Sequence, residues 1–84
     1  MSFPQDASDF ELLVRMVRGI EYRERLQSMQ ELTQRIRNGK VSREIRLVKG
    51  RLQLLNLKTS TIEQREKQVE EAIKSFSLQN LNWQ

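Results

Sequence analysis

The chain has 84 residues, a net charge of +4 and neither cysteine nor histidine, and 37% of its residues are hydrophobic. These numbers limit it to one domain and exclude disulfide bonds, zinc sites built on Cys or His, and imidazole acid–base catalysis. With one Pro and three Gly, the composition favours an all-helical protein over a turn-rich β fold.

Residues 1–8 are predicted to be a flexible N-terminal lead. They show no basic start followed by an apolar stretch, so we expect a cytoplasmic protein without a signal peptide or a membrane span. Ser8-Asp9-Phe10-Glu11 is a capping-box pattern, which predicts a helix over residues 9–37. Asn38-Gly39 predicts the end of that helix, because glycine after a helix adopts the left-handed conformation at low cost.

A joint near Gly19 interrupts the apolar pattern of the first helix. The stripes before and after it differ by about 160° around the helix axis. Their members are Phe10, Leu13, Val17 and Ile20, then Tyr22, Leu26, Met29, Leu32 and Ile36. Two interpretations stay open: the helix breaks near Gly19, or one continuous helix faces two different neighbours.

A second helix is predicted over residues 42–77, with Ser42 as its cap. Its apolar seam is spaced by three and four, which is typical of a helix packed against another helix. The seam consists of Val41, Ile45, Val48, Leu52, Leu55, Thr59, Ile62, Glu66, Val69, Ile73 and Phe76. Lys58-Thr59-Ser60-Thr61 is a second open joint, where Ser60 could start a new capping box. The unbroken register favours one continuous helix. Residues 78–84 are predicted to be a C-terminal tail.

A tight turn at residues 38–40 between two long helices predicts a long antiparallel helical hairpin with a coiled-coil-like seam. Leu47, Leu54 and Leu57 lie off this seam, so the middle of the second helix is apolar on nearly all sides. Such a helix is normally covered on all sides. We therefore expect these three leucines to mediate self-association into a homodimeric four-helix bundle. The pattern leaves two alternatives open: a different protein partner, and a monomer folded back at Gly19.

Positive charge is concentrated between residues 35 and 58, where Glu44 is the only acidic residue. In the predicted hairpin this segment surrounds the turn, where it could contact an acidic protein surface or the phosphates of a nucleic acid. The remaining interpretation is a solvated helical face whose arginine stems cover apolar surface. The predicted contact residues are Arg35, Arg37, Lys40, Arg43, Arg46, Lys49 and Arg51.

Trp83 is a further predicted partner contact, because aromatic side chains are favoured in binding pockets. The alternative is that Trp83 packs back onto its own bundle near Phe10.

We expect no catalytic, cofactor or metal site. Glu63, Glu66 and Glu70 share one helical side, but we expect ion pairs of Glu63 with Lys67 and of Glu70 with Lys74 rather than a metal site. The sequence therefore predicts a small non-enzymatic protein–protein interaction module of the adaptor, assembly-factor or co-chaperone type, with no small-molecule substrate. The alternative is a nucleic-acid-binding regulator that uses the basic hairpin end.

Overall fold

The computed structural model describes residues 3–83. Within this range the chain forms four α-helices and no β-strand, so the predicted all-α class is confirmed. The helices are α1 (Asp9–Arg18), α2 (Tyr22–Arg37), α3 (Arg43–Leu52) and α4 (Ile62–Ser75), and a 3-10 turn precedes them at Pro4–Asp6. None of these helices has the length and the apolar composition needed to cross a bilayer.

Short polar side chains set the starts of three helices. Ser8 Oγ accepts a hydrogen bond from the Glu11 amide at 3.1 Å, and Ser42 Oγ accepts one from the Ile45 amide at 3.4 Å. At Thr61 there is a reciprocal capping box with Gln64. Each cap satisfies an amide that has no acceptor inside its own helix. The caps at Ser8 and Ser42 are those that the sequence predicts.

Each of the two long helices expected from the sequence is divided in two. The interruptions lie at residues 19–21 and 53–61, so the long antiparallel hairpin is replaced by four short helices. A helix of 16 residues is only about 24 Å long, and the molecule measures 31 × 29 × 21 Å instead of forming a rod.

Asn56 stabilises a local turn inside the second interruption. Its side-chain Oδ1 accepts a hydrogen bond from the Lys58 amide at 3.0 Å, and its carbonyl accepts bonds from the Thr59 and Ser60 amides. Asparagine favours such local turns because its side chain competes with the backbone for hydrogen bonds. The apolar register continues across this segment, but the backbone leaves the helix.

The hydrophobic core is centred on α1, which packs most extensively against α2 and also contacts α3 and α4. Four of its residues are fully buried: Leu12, Leu13, Met16 and Val17. The other helices cover them with Leu32, Val48, Leu52, Val69 and Ala72.

Candidate interaction surfaces

A buried arginine, Arg25, joins the two interrupted segments at the C-terminal end of α1. Its Nε donates to the Leu57 carbonyl at 2.8 Å. Its Nη1 donates to the carbonyls of Gly19 and Ile20 at 2.8 and 3.0 Å. The connection at 19–21 and the connection at 53–61 therefore meet at this end of the molecule.

A second buried arginine, Arg65 of α4, reinforces the same end. Its Nε donates to the Val17 carbonyl at 2.8 Å, and its Nη1 donates to the Ser60 carbonyl and hydroxyl. Burial lowers the pKa of Arg65, and the positive charge of Arg25 lowers it further. Every acceptor named here is a carbonyl or a hydroxyl. The carbonyls at the end of α1 carry the negative end of its helix dipole and so favour these cations.

Large apolar side chains are exposed at this end of the molecule. Of the five that are exposed within residues 3–83, four lie on the two connections or on the first residue of the following helix. These four, Ile20, Tyr22, Leu54 and Ile62, are called the apolar end. Ile20 and Leu54 keep 92% and 79% of their surface exposed. The Lys58 ammonium lies 6.0 Å from the Tyr22 ring centroid, which places the second connection beside the start of α2.

The three leucines predicted to mediate self-association do not share one exposed face. Leu54 is exposed, Leu47 is half-buried against the core, and Leu57 is buried within it. Their alignment on one helix is lost because α3 ends at Leu52 and the chain turns at Asn56.

Four predicted contact residues lie along the end of α2, the turn that follows it and the first half of α3. The Arg35–Asp9 ion pair places the end of α2 beside the start of α1, so these residues are at the other end of α1. Arg37, Lys40, Arg43 and Arg46 are exposed, and they take part in none of the ion pairs formed within residues 3–83. They are called the basic surface. Residues 37–51 contain six basic residues and one acidic residue, a net charge of +5 that exceeds the +4 of the whole chain.

Arg35 is not part of this surface, because it is used inside the fold. Its Nη1 lies 2.8 Å from Asp9 Oδ1, and its Nε lies 3.0 Å from Glu31 Oε2. The hydrogen bond to Asp9 is the main cause that raises the pKa of Arg35. Its Nη2 also donates to the carbonyls of Pro4 and Gln5. Arg35 therefore fixes the N-terminal turn against α2.

Arg51 is likewise occupied, with its guanidinium carbon 5.3 Å from the Phe76 ring centroid. A cation over an aromatic face is attracted by the ring quadrupole. This contact ties the end of α3 to the end of α4.

Lys49 lies on the inner side of α3 and is only 4% exposed. Burial lowers its pKa, and the nearby charge of Arg37 lowers it further. It makes no hydrogen bond or ion pair with any residue in the range 3–83. Since no fully buried side-chain nitrogen or oxygen in this range lacks a partner, the Lys49 ammonium reaches the surface while its stem is covered.

Trp83 packs onto its own bundle, as in the second of the two interpretations above. Its ring lies edge-on to Phe10 at 6.3 Å between centroids, and the Arg18 guanidinium lies 4.8 Å from the ring centroid. Arg18 Nε is also 3.3 Å from Glu66 Oε1. Trp83 is therefore buried and fixes the C-terminal segment.

The roles of Arg25 and Arg65 are not among those predicted from the sequence. Both continue buried helical stripes at spacings of three and four: Arg25 precedes Ser28 and Leu32, and Arg65 precedes Val69 and Ala72. A basic residue that extends a buried stripe next to a helix joint is the signal that could have identified them.

Comparison of the chain with protein-family models, with curated proteins and with solved structures finds no match. Within residues 3–83 there is no group of three or more acidic side chains that could hold a metal ion. Function is therefore inferred from the apolar end and the basic surface.

Proposed function

We propose that the chain is a non-enzymatic protein–protein interaction module that self-associates through its apolar end. The supporting observation is that Ile20 and Leu54 remain almost fully exposed on segments whose backbone is bound by buried Arg25. Covering one such side chain contributes about 1.5–3 kcal/mol. Because these segments are already ordered, little conformational entropy is lost when they bind.

The charges around the apolar end favour a second copy of the chain as the partner. Glu21 and Glu63 supply two negative charges, and Arg23 and Lys58 supply two positive charges, all on exposed side chains. In a two-fold contact the same patch is present on both subunits. A balanced rim lets two copies meet without net repulsion, whereas two basic surfaces would repel each other.

A dimer of this kind leaves the basic surface of each subunit far from the contact. One module then presents two identical surfaces to other molecules, which suits an adaptor or an assembly factor. This arrangement takes the place of the two-hairpin bundle expected from the sequence, and of its three leucines only Leu54 belongs to the apolar end.

Light scattering behind a size-exclusion column, over a range of protein concentrations, tests the proposal. We expect the mass to rise from 10.0 kDa toward twice that value with concentration. Leu54→Glu should keep the helical circular dichroism of the wild type and remain monomeric, because it places a charge in the contact. Gln53→Glu is the matched control, since it adds the same charge at an exposed neighbouring position and should still dimerise. A wild type that stays monomeric throughout would contradict self-association.

A further inference from the structure

The basic surface contains little counter-charge. Asp9 and Glu31, the carboxylates near the end of α2, bind Arg35. Glu44 is the only acidic residue between positions 37 and 51. The other exposed lysines of the helices, Lys67 and Lys74, lie on α4 among four glutamates, so their charge is locally balanced. Uncompensated positive charge is thus concentrated on the turn between α2 and α3 and on the first half of α3.

Lys49 adds one more positive charge beside this surface. Its stem is buried near Arg37, and it has no carboxylate partner in the described part of the chain. Because the Lys49 ammonium itself reaches the surface, a phosphate group bound there would offset the repulsion between these two cations.

The exposed face of α3 is shaped for close approach. Arg43, Arg46 and Gly50 follow one another at spacings of three and four, so they lie on one side of the helix. A Cβ built at Gly50 would meet no atom within 4 Å. The fold therefore does not require glycine there, although glycine weakens a helix relative to alanine. The missing side chain lets the backbone of a ligand approach α3 closely.

We infer that the basic surface binds the phosphate backbone of duplex nucleic acid, with the exposed face of α3 against it. Single strands are normally held by exposed aromatic side chains on which their bases stack. Residues 37–51 contain no aromatic side chain on which a base could stack, Phe76 lies beneath Arg51, and Trp83 is buried. Contacts to phosphates carry no direct sequence information. The binding is therefore salt-dependent and tolerant of sequence. This function goes beyond self-association and does not depend on it.

Fluorescence anisotropy with a labelled duplex DNA of mixed sequence tests the inference. With four phosphate contacts, the logarithm of the association constant should fall with the logarithm of salt concentration with a slope of about −4. Arg43→Glu with Arg46→Glu should weaken binding at low salt by about 100-fold or more. The control is Lys67→Glu with Lys74→Glu, which makes the same change in net charge on exposed positions of α4 and should keep most of the affinity. All variants should first show wild-type circular dichroism and melting.

The inference would be overturned if the wild type did not bind the duplex at low salt, or if the two double variants lost affinity equally. It would also be overturned if labelled poly-glutamate bound as tightly as the duplex, which would indicate an acidic protein as the ligand. Leu54→Glu separates this inference from self-association. A monomeric Leu54→Glu protein should still bind the duplex, because Leu54 lies at the other end of α1.

Discussion

Arg25 of α2 and Arg65 of α4 bind the C-terminal end of α1 from two sides. Arg65 Nε donates a hydrogen bond to the Val17 carbonyl, and Arg25 Nη1 donates one to the Gly19 carbonyl, each at 2.8 Å. The last carbonyls of a helix have no donors within that helix. In this fold two neighbouring helices, α2 and α4, supply these donors, so both of them hold the end of α1 in place.

Arg25 should contribute substantially to the stability of the fold. Arg25→Met should destabilise the protein by about 3 kcal/mol, because the carbonyls of Gly19, Ile20 and Leu57 lose a charged donor at a buried site. Arg25→Lys should restore little, since an ammonium lacks the fork of the guanidinium. Urea unfolding followed by circular dichroism measures the effect. Arg23→Met, at an exposed position of the same helix, should change stability by less than about 0.5 kcal/mol; similar losses for Arg23 and Arg25 would refute the assigned role.

Two glycines should respond to alanine in opposite directions. Gly50→Ala should raise stability by about 0.5–1 kcal/mol, because a methyl group there meets nothing and glycine weakens a helix. Gly39→Ala should lower it by about 1–2 kcal/mol, because Gly39 has a φ of 70° that an L-residue adopts at a cost. Thermal melting of the two variants under one condition compares them directly. A shift of the melting temperature in the same direction for both would contradict the left-handed conformation at Gly39 or the open space at Gly50.

Leu54 and Leu57 form a matched pair for testing the second connection. Leu57→Ala should cost about 2–5 kcal/mol because it removes a buried side chain. Leu54→Ala should change the stability of the monomer by less than about 0.5 kcal/mol, because its side chain is exposed. Denaturant unfolding at a concentration where the protein is monomeric separates the two. Comparable losses of stability in the two variants would contradict the turn at Asn56 and would indicate a continuous helix in which both leucines face the same way.

Because of Lys49, the free energy of unfolding should depend on pH in the alkaline range. Because its pKa is lowered in the folded protein, the unfolded chain binds this proton more tightly. Stability should therefore rise with pH between the lowered pKa and the usual lysine value of about 10.4. Lys49→Met should remove this rise and stabilise the protein by about 1 kcal/mol at neutral pH. Melting temperatures measured across this pH range report both effects. The control is Lys40→Met, at an exposed position, which should keep the rise of stability with pH.

The parts of the fold that local chemistry decides could be predicted from the sequence. The caps at Ser8 and Ser42 and the turn at Gly39 depend on hydrogen bonds and backbone angles within a few residues. The break after α1 also involves Arg25, whose third acceptor, the Leu57 carbonyl, lies 32 residues away. No local pattern contains that contact, so the sequence leaves a continuous and a broken helix equally open.

The candidate surfaces show the same division. The excess of positive charge between residues 37 and 51 can be counted from the sequence. The sequence does not show that Arg35 is bound by Asp9, which lies 26 residues earlier, or that Lys49 faces inward. Grouping Leu54 with Leu57 required a straight helix through Asn56, and the turn at that residue separates them.

The short connection between α1 and α2 also bears on how the chain folds. These helices are joined by only three residues and form the most extensive helix pair, and local contacts form fast because little loop entropy is lost. The bond from Arg65 to Val17 spans 48 residues and requires α4 to be in place. It should therefore form after the rate-limiting step. Substitutions at Arg65 should then accelerate unfolding and leave the folding rate nearly unchanged, so this arginine governs how long the native state lasts once it has formed.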